Sequence, residues 1–197
     1  QTFVEHIQPE MTAYGNELDK KAVASPFLAE LRDEGFDITL RGLRQQIELF
    51  REENIPLQTR IQTLEQQYGA ISGAMTVVLD GEEMTLPKAS DRLQDPDRAV
   101  REEAYRAIQE RRMQDRQKLD ELFEQLRDLR HRVARNAGFD TYRDYMFAAL
   151  GRFDYTPDDC FRFHEAVAET VVPMLDGLAT ERKAALGLDS LRPWDLK

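Results

Sequence analysis

The feature that most constrains this fold is a long interval without helix breakers. After Asp95-Pro96, neither proline nor glycine occurs until Gly138. An aspartate followed by proline is typical of a helix start, because aspartate caps the free N–H groups and proline fits the first helical position. We therefore predict that a helix begins here, with Asp95 as its N-cap, and the interval is long enough for a very long helix.

The second half of this interval carries apolar residues at heptad spacing. They recur at alternating steps of three and four positions: Leu119, Leu122, Leu126, Leu129 and Val133. This seam predicts packing against an antiparallel helix. Between residues 109 and 118 only Met113 continues the apolar stripe. That section is therefore either exposed to solvent or a break between two helices.

The first seventy residues are also predicted to be helical. Apolar residues fall at helical spacing from Phe3 to about Arg51. After the Gly35-Phe36-Asp37 break, one face of an amphipathic helix carries Leu40, Leu43, Ile47 and Phe50. Asn54-Ile55-Pro56 ends that helix, and Pro56 can open the next one, which we expect Gly69 to stop.

One segment predicts β structure. Residues 75–79 and 82–86 flank Asp80-Gly81, a pair that supplies the positive φ angles of a two-residue hairpin turn. In this register Val77 faces Met84 and Met75 faces Leu86. A lone hairpin is marginal in water, so its apolar face should lie against a neighbouring helix or against another part of the protein.

Two further helix starts follow Gly138. Thr141 with Asp144 resembles a capping box for a short helix that closes at Gly151. Thr156-Pro157, followed by two aspartates, opens a longer helix that Gly187 ends. Proline removes a backbone hydrogen bond, so a kink is expected at Pro173.

The longer helix presents one stripe of mostly apolar residues. They are Cys160, His164, Val167, Val171, Met174 and Leu178. We expect this stripe to be core. We also expect Trp194, close to the end of the chain, to have little to cover it.

Together these patterns predict a mainly α fold, an elongated multi-helix array with one small β-hairpin at about 75–86. The whole chain, 1–197, is interpreted as one helical lobe. Its expected subdivisions are a helical region at 1–74, the hairpin and a link at 75–94, and the long helix with packed helices at 95–197.

Charge and composition exclude several classes of partner. Acidic residues number 37 and basic residues 27, and the net charge of -10 repels phosphate backbones. We therefore expect no nucleic acid partner. No apolar run reaches the roughly 18 residues of a membrane span, so we expect no membrane partner. The single cysteine, Cys160, excludes an internal disulfide and fits a cytoplasmic location.

No complete metal site can be recognised. A zincin needs two histidines one helical turn apart with a glutamate beside the first, the HExxH pattern. The only His-Glu pair, His164-Glu165, has Ala168 where the second histidine belongs. The remaining histidines, His6 and His131, have no ligand-like spacing. We therefore assign no catalytic, cofactor-binding or metal residue to this chain.

Two other features, a cysteine–histidine pair and a dense aromatic segment, could form a site. Cys160 and His164 lie one turn apart, but we interpret them as core residues and not as ligands or a nucleophilic pair. Aromatic residues are dense between positions 139 and 163: Phe139, Tyr142, Tyr145, Phe147, Phe153, Tyr155, Phe161 and Phe163. We favour core packing between short helices over a peptide-binding surface.

Three segments resemble the oligoendopeptidase F branch of the thimet-oligopeptidase-like zinc metallopeptidases. Residues 75–106 read MTVVLDGEEMTLPKASDRLQDPDRAVREEAYR. Residues 135–173 read RNAGFDTYRDYMFAALGRFDYTPDDCFRFHEAVAETVVP, and residues 186–196 read LGLDSLRPWDL. The resemblance is strongest from about residue 40 onward. All three motifs are structural and none is catalytic.

The resemblance implies a peptidase that is mostly helical, buries zinc in a deep channel and cuts short peptides. This chain would then be the amino-terminal lobe over the channel, with the HExxH helix and the zinc in the remaining catalytic part of the same protein. The chain alone would bind no zinc and be inactive. The alternative is a self-contained helical interaction module that uses the heptad face from Leu119 to Val133 against a partner helix.

Overall fold

A computed structural model describes residues 2–30 and 34–197. Over these residues the fold is mainly α, as predicted, with eight α-helices and one two-stranded sheet. The helices are α1 (Gln8–Val23), α2 (Asp37–Leu49), α3 (Asn54–Gly73), α4 (Leu86–Asp91), α5 (Arg98–Gln114), α6 (Arg116–Asn136), α7 (Tyr142–Ala149) and α8 (Pro157–Ala185). The antiparallel strands are β1 (Thr76–Leu79) and β2 (Glu82–Thr85).

The chain divides into two compact units. Unit 1 comprises Gln1–Gln67 and Glu121–Pro157, and unit 2 comprises Tyr68–Asp120 and Asp158–Lys197. Short 3₁₀ turns at Pro26–Glu30 and Glu34–Phe36 lie between α1 and α2. The helical prediction for residues 31–33 lies outside the described residues. Among those described, no helix combines the length and apolar composition that crossing a bilayer needs.

The core of unit 1 joins helices that are distant in sequence. Two buried clusters contain Leu49, Leu57, Leu64, Leu122, Leu126, Val133, Ala134, Ala137 and Tyr145. The heptad seam of α6 therefore packs against α3, as its spacing predicts for Leu122, Leu126 and Val133. At one end of these helices the buried Asn54 amide donates to the Val133 carbonyl at 3.0 Å. Its oxygen accepts from Asn136 at 2.8 Å.

The expected stop of α3 at Gly69 is wrong. The helix continues through Gly69 to Gly73. A glycine inside a helix costs only about 1 kcal/mol relative to alanine, so apolar residues beyond it can carry the helix onward. Ile71 does this by packing against the core of unit 2.

The core of unit 2 is formed by the hairpin, α4 and α5. Val77 pairs with Met84, as predicted, and the turn residues Asp80 and Gly81 have φ angles of 53° and 78°. The buried cluster contains Met75, Val77, Leu79, Met84, Leu86, Ala89, Leu93, Ala104 and Ile108. The apolar face of the hairpin thus lies against a neighbouring helix, which is the first of the two expected arrangements.

The hairpin is shorter than predicted. The paired residues are 76–79 and 82–85, so Met75 and Leu86 fall outside the ladder. Leu86 begins α4 because the Thr85 hydroxyl caps that helix, accepting from the Lys88 amide at 3.5 Å, with Pro87 in the first turn.

Of the two alternatives left open for residues 109–118, the structure has the break: α5 and α6 are separate helices that meet at Asp115. This residue has φ −99° and ψ 7° and ends α5. Its carboxylate accepts hydrogen bonds from Arg111 at 2.6 Å and Lys118 at 3.0 Å, and so joins the last turn of α5 to the first turn of α6. The Arg111 bond, followed by that of Lys118, lowers the pKa of Asp115. The break falls where the apolar stripe disappears, because little packing there supports a continuous helix.

The N-cap of α5 is Asp97 and not Asp95. The Asp97 carboxylate accepts from the Ala99 amide at 2.8 Å. Asp95 lies two residues before this cap, and its carboxylate accepts a hydrogen bond from the Asp97 amide at 2.8 Å. Pro96 therefore lies in the turn before the helix.

The last two helices begin as predicted. The Thr141 hydroxyl accepts from the Asp144 amide at 3.1 Å and caps α7. α8 begins at Pro157, runs through Pro173 and ends at Ala185. Gly187, with φ 61°, follows it, and the Leu188 amide donates back to the Lys183 carbonyl at 3.1 Å.

Candidate functional site

The histidines and the cysteine form no recognisable reactive group. His6, His131 and His164 are all exposed. His164 lies beside two aromatic rings, with centroid separations of 6.5 Å from Phe161 and 6.3 Å from Phe163. Cys160 is half-buried and has a free thiol.

The potential metal ligands among the described residues lie far apart. Over residues 2–30 and 34–197, no three side chains of histidine, cysteine, aspartate or glutamate come close enough to hold a metal ion. Structural and catalytic zinc sites take three or four such ligands from the protein. A hydrolytic zinc would therefore need ligands from outside the described residues.

A dense network of hydrogen bonds surrounds the Asp195 carboxylate, which lies in a 3₁₀ turn (Pro193–Asp195) of unit 2 and is fully buried. Arg98 binds both its oxygens, with Nε–Oδ1 and Nη2–Oδ2 distances of 3.1 and 2.8 Å. Arg101 donates to Oδ1 at 3.0 Å and the Arg192 amide to Oδ2 at 2.9 Å. These bonds, those of Arg98 first, hold the pKa of Asp195 far below its usual range.

Arg101 connects this carboxylate to the start of α5. Its Nη1 donates to the carbonyls of Asp95 at 2.9 Å and Pro96 at 3.0 Å, and its Nε donates to the Trp194 carbonyl at 3.0 Å. Each oxygen of the buried Asp195 carboxylate thus accepts two hydrogen bonds. The arrangement anchors the 3₁₀ turn of residues 193–195 to α5 and leaves no free carboxylate oxygen for substrate chemistry.

Trp194 is better covered than its position in the sequence suggests. Its ring packs against Tyr105, with centroids 5.6 Å apart, and the Arg106 guanidinium lies 5.2 Å from its centroid. The expectation that little would cover this tryptophan is therefore wrong. The Asp195 anchor places the ring against α5.

The aromatic residues between positions 139 and 163 differ in burial. Tyr145 is buried in the core of unit 1 and contacts Phe139 and Tyr142, with centroids 5.8 and 5.9 Å apart. Burial raises the pKa of Tyr145. Core packing, the favoured interpretation, thus holds for these three rings, whereas Phe161 and Phe163 on α8 are exposed.

Several cavities lie within single units, and two of them have well-defined polar linings. One, of about 400 Å³, is open and is lined in unit 2 by Glu82, Met84, Lys88, Asp91, Arg92, Gln94 and Asp95. Lys88 donates there to Glu82 at 2.6 Å. The other, of about 170 Å³, is lined in unit 1 by Thr12, Gln46, Leu49, Phe50, Arg51, Asn54, Gln58, Tyr145 and Ala149. Neither lining contains a histidine, a cysteine or a serine. A further cavity of unit 1, of about 420 Å³, is lined by Arg127, Asp128, His131 and Arg132.

Within the described residues, α8 presents an apolar face that no other element buries. None of the described residues of α8 is buried. Val171, Met174 and Leu178 are 44%, 64% and 59% exposed. The expectation that this stripe is core is therefore wrong for the described chain. Periodicity correctly identified the apolar face but could not show whether anything covers it.

The Arg101–Asp195 pair was also missed. Buried arginines carry no sequence signal, and the partners are 94 residues apart.

Comparisons with known proteins identify the family. The model of peptidase family M3 matches residues 92–197, which is more than half of the chain. Among proteins of curated function, none matches this chain.

Solved structures extend the likeness to the whole chain. A protein assigned as oligoendopeptidase F has a TM-score of 0.93 and 25% identity over 99% of this chain and 34% of its own. PZ peptidase A, solved with an inhibitor, has a TM-score of 0.92 and 23% identity over 98% of this chain and 34% of its own. A protein from Bacillus anthracis strain Ames assigned as oligoendopeptidase F has a TM-score of 0.92 and 22% identity over 98% and 36%. This chain spans about a third of the length of these structures.

Proposed function

Because this chain belongs to peptidase family M3, we propose that it is the amino-terminal, non-catalytic helical portion of a zinc-dependent metalloendopeptidase that hydrolyses short peptides. The family match over residues 92–197 carries this proposal. The fold likeness over 99% of this chain, but only 34% of the larger relative, supports its assignment to one part of a longer enzyme.

The proposed role of this segment is to form a lobe over the substrate channel. Such a lobe needs rigid helices, and the packed cores of unit 1 and unit 2 supply them. The zinc and its ligands belong to the remaining catalytic part of the same protein, since the donors described in this chain do not gather. We place the enzyme in the cytoplasm.

The rival function is a helical interaction module that would bind a partner through the heptad face of α6. Most of that face is not accessible to a partner. Leu122, Leu126 and Val133 of the heptad face are buried within unit 1. That face already has its partner helix, α3, in the same chain.

The test compares the protein translated through the sequence downstream of Lys197 with the isolated 197 residues. We expect the longer protein to contain about one zinc per chain and to cleave a quenched fluorescent peptide, with the cleavage lost on chelation and restored by zinc. The longer protein should not cleave a folded protein whose amino-acid composition is similar to that of the peptide, because the lobe excludes large substrates.

The isolated segment is the matched control and should neither retain zinc nor cleave the peptide. Zinc-dependent cleavage by the segment alone would overturn the proposal. So would a longer protein that shows no metal-dependent peptidase activity.

A further inference from the structure

The apolar face of α8 consists of Val167, Val171, Met174 and Leu178. These residues recur at steps of four, three and four positions, so their side chains lie on one side of the helix. Leu175, 55% exposed, lies next to them. With 29 residues the helix is about 44 Å long. The apolar face itself, from Val167 to Leu178, spans about 17 Å of that length. Adjoining apolar side chains of this kind differ from the single exposed ones that ordinary protein surfaces carry.

The opposite side of α8 has a different chemistry. Asp158, Glu165, Glu169 and Asp176 recur at steps of seven, four and seven positions, more than a quarter turn away from the apolar face. This acidic stripe is compatible with water, whereas the apolar face is not. The two stripes together orient the helix, with one side toward a partner and the other toward solvent.

The proline inside α8 also indicates that the helix packs against a partner. Pro173 lies in its interior, where proline costs about 3 kcal/mol relative to alanine. Most helical stability in proteins comes from packing of an apolar face, and no residue of α8 is buried within the part of the chain that is described. Tertiary contacts on the apolar face would offset the cost of Pro173.

We infer that the apolar face of α8 is an internal docking surface for the remaining part of the same peptidase chain. This inference rests on the proposed function, because it requires a longer protein. α8 lies inside the range that matches the family, and about two thirds of the related structures is additional chain.

A second copy of this chain is the main competing occupant. A covalently linked segment acts at an effective concentration in the millimolar range, well above that of a free second copy in solution. The apolar face is therefore expected to be occupied within one chain.

The test uses the full-length protein with a photo-crosslinking phenylalanine derivative at Met174. The matched control carries the same group at Glu169 on the acidic stripe of the same helix. After irradiation, mass spectrometry identifies the residues joined. We expect Met174 to crosslink to residues beyond 197 of the same chain, at monomer mass and in at least tenfold higher yield than Glu169.

Three outcomes would overturn the inference: crosslinked dimers, crosslinks confined to residues 1–197, or equal yields at both positions. Crosslinking needs no activity, so the peptide assay on the same preparation separates the two proposals. Crosslinks beyond 197 without zinc-dependent cleavage reject the proposed function alone. Cleavage without such crosslinks rejects the docking surface alone.

Discussion

Arg101 and Asp195 form a buried ion pair, with Nη2 and Oδ1 3.0 Å apart, between residues separated by 94 positions. The Asp195 side chain is inaccessible to solvent, and that of Arg101 is 7% exposed. Burying two charges is costly, and the attraction between them offsets that cost only where further hydrogen bonds satisfy both groups. Three backbone carbonyls complete the partners of Arg101. The pair therefore holds the 3₁₀ turn of residues 193–195 on α5.

Replacing Asp195 by asparagine should destabilise the protein. The change leaves the Arg101 guanidinium buried without its counter-charge, and we expect the free energy of unfolding to fall by about 3 kcal/mol. Urea denaturation followed by circular dichroism measures this loss. Asp189→Asn, at an exposed site on the same segment, is the control and should change stability by less than about 0.5 kcal/mol. Equal effects of the two variants would contradict the role of the pair.

The same carboxylate predicts how stability depends on pH. The pKa of Asp195 is lower in the folded protein than its ordinary value of 3.8, so the folded state binds this proton less readily than the unfolded state. Its stabilisation is present above pH 3.8 and is lost as the pH falls from there toward the depressed pKa. The difference in unfolding free energy between wild type and Asp195→Asn should be constant from about pH 5 to 7 and shrink below about pH 4. A difference that grew on acidification would contradict the assignment.

Alanine at two glycines should have opposite effects. Gly81 has φ 78° in the hairpin turn, where a Cβ is strained, so Gly81→Ala should lower stability by about 1 kcal/mol. Gly69 lies inside α3, and a Cβ there would meet no atom within 4 Å. Gly69→Ala should therefore raise stability by about 0.5 to 1 kcal/mol. Thermal unfolding of both variants checks this. A stabilising Gly81→Ala would contradict the turn geometry, and a destabilising Gly69→Ala would contradict the open helical position of Gly69.

Asn54 should be required for the packing of α3 on α6. Its amide is 2% exposed and makes two side-chain hydrogen bonds, to Val133 and Asn136. Asn54→Ala leaves the Val133 carbonyl without this donor, and we expect a loss of about 2 kcal/mol in chemical denaturation. Gln66→Ala, at an exposed position of the same helix, is the matched control and should be near neutral. A near-neutral Asn54→Ala would show that water replaces the lost bonds.

Local chemistry predicted several elements well. The Thr141 cap of α7, the Thr-Pro start of α8 and the Asp80-Gly81 turn each depend on a few neighbouring residues, and all three are in the structure. The errors arose where local signals competed. Asp95 and Asp97 both can cap a helix, and the choice depends on where Pro96 enters the turn. Gly69 weakens a helix but does not stop it when Ile71 has a core to join.

The absence of HExxH could be read from the sequence alone, because that motif requires histidines at a fixed spacing and Ala168 occupies the second position. The periodicity of α8 likewise showed which residues share its apolar face. Only the tertiary structure decided that nothing described buries this face and that Arg101 meets Asp195. Periodicity depends on neighbours a few residues apart, whereas burial and charge pairing depend on segments that the folded chain brings together from a distance.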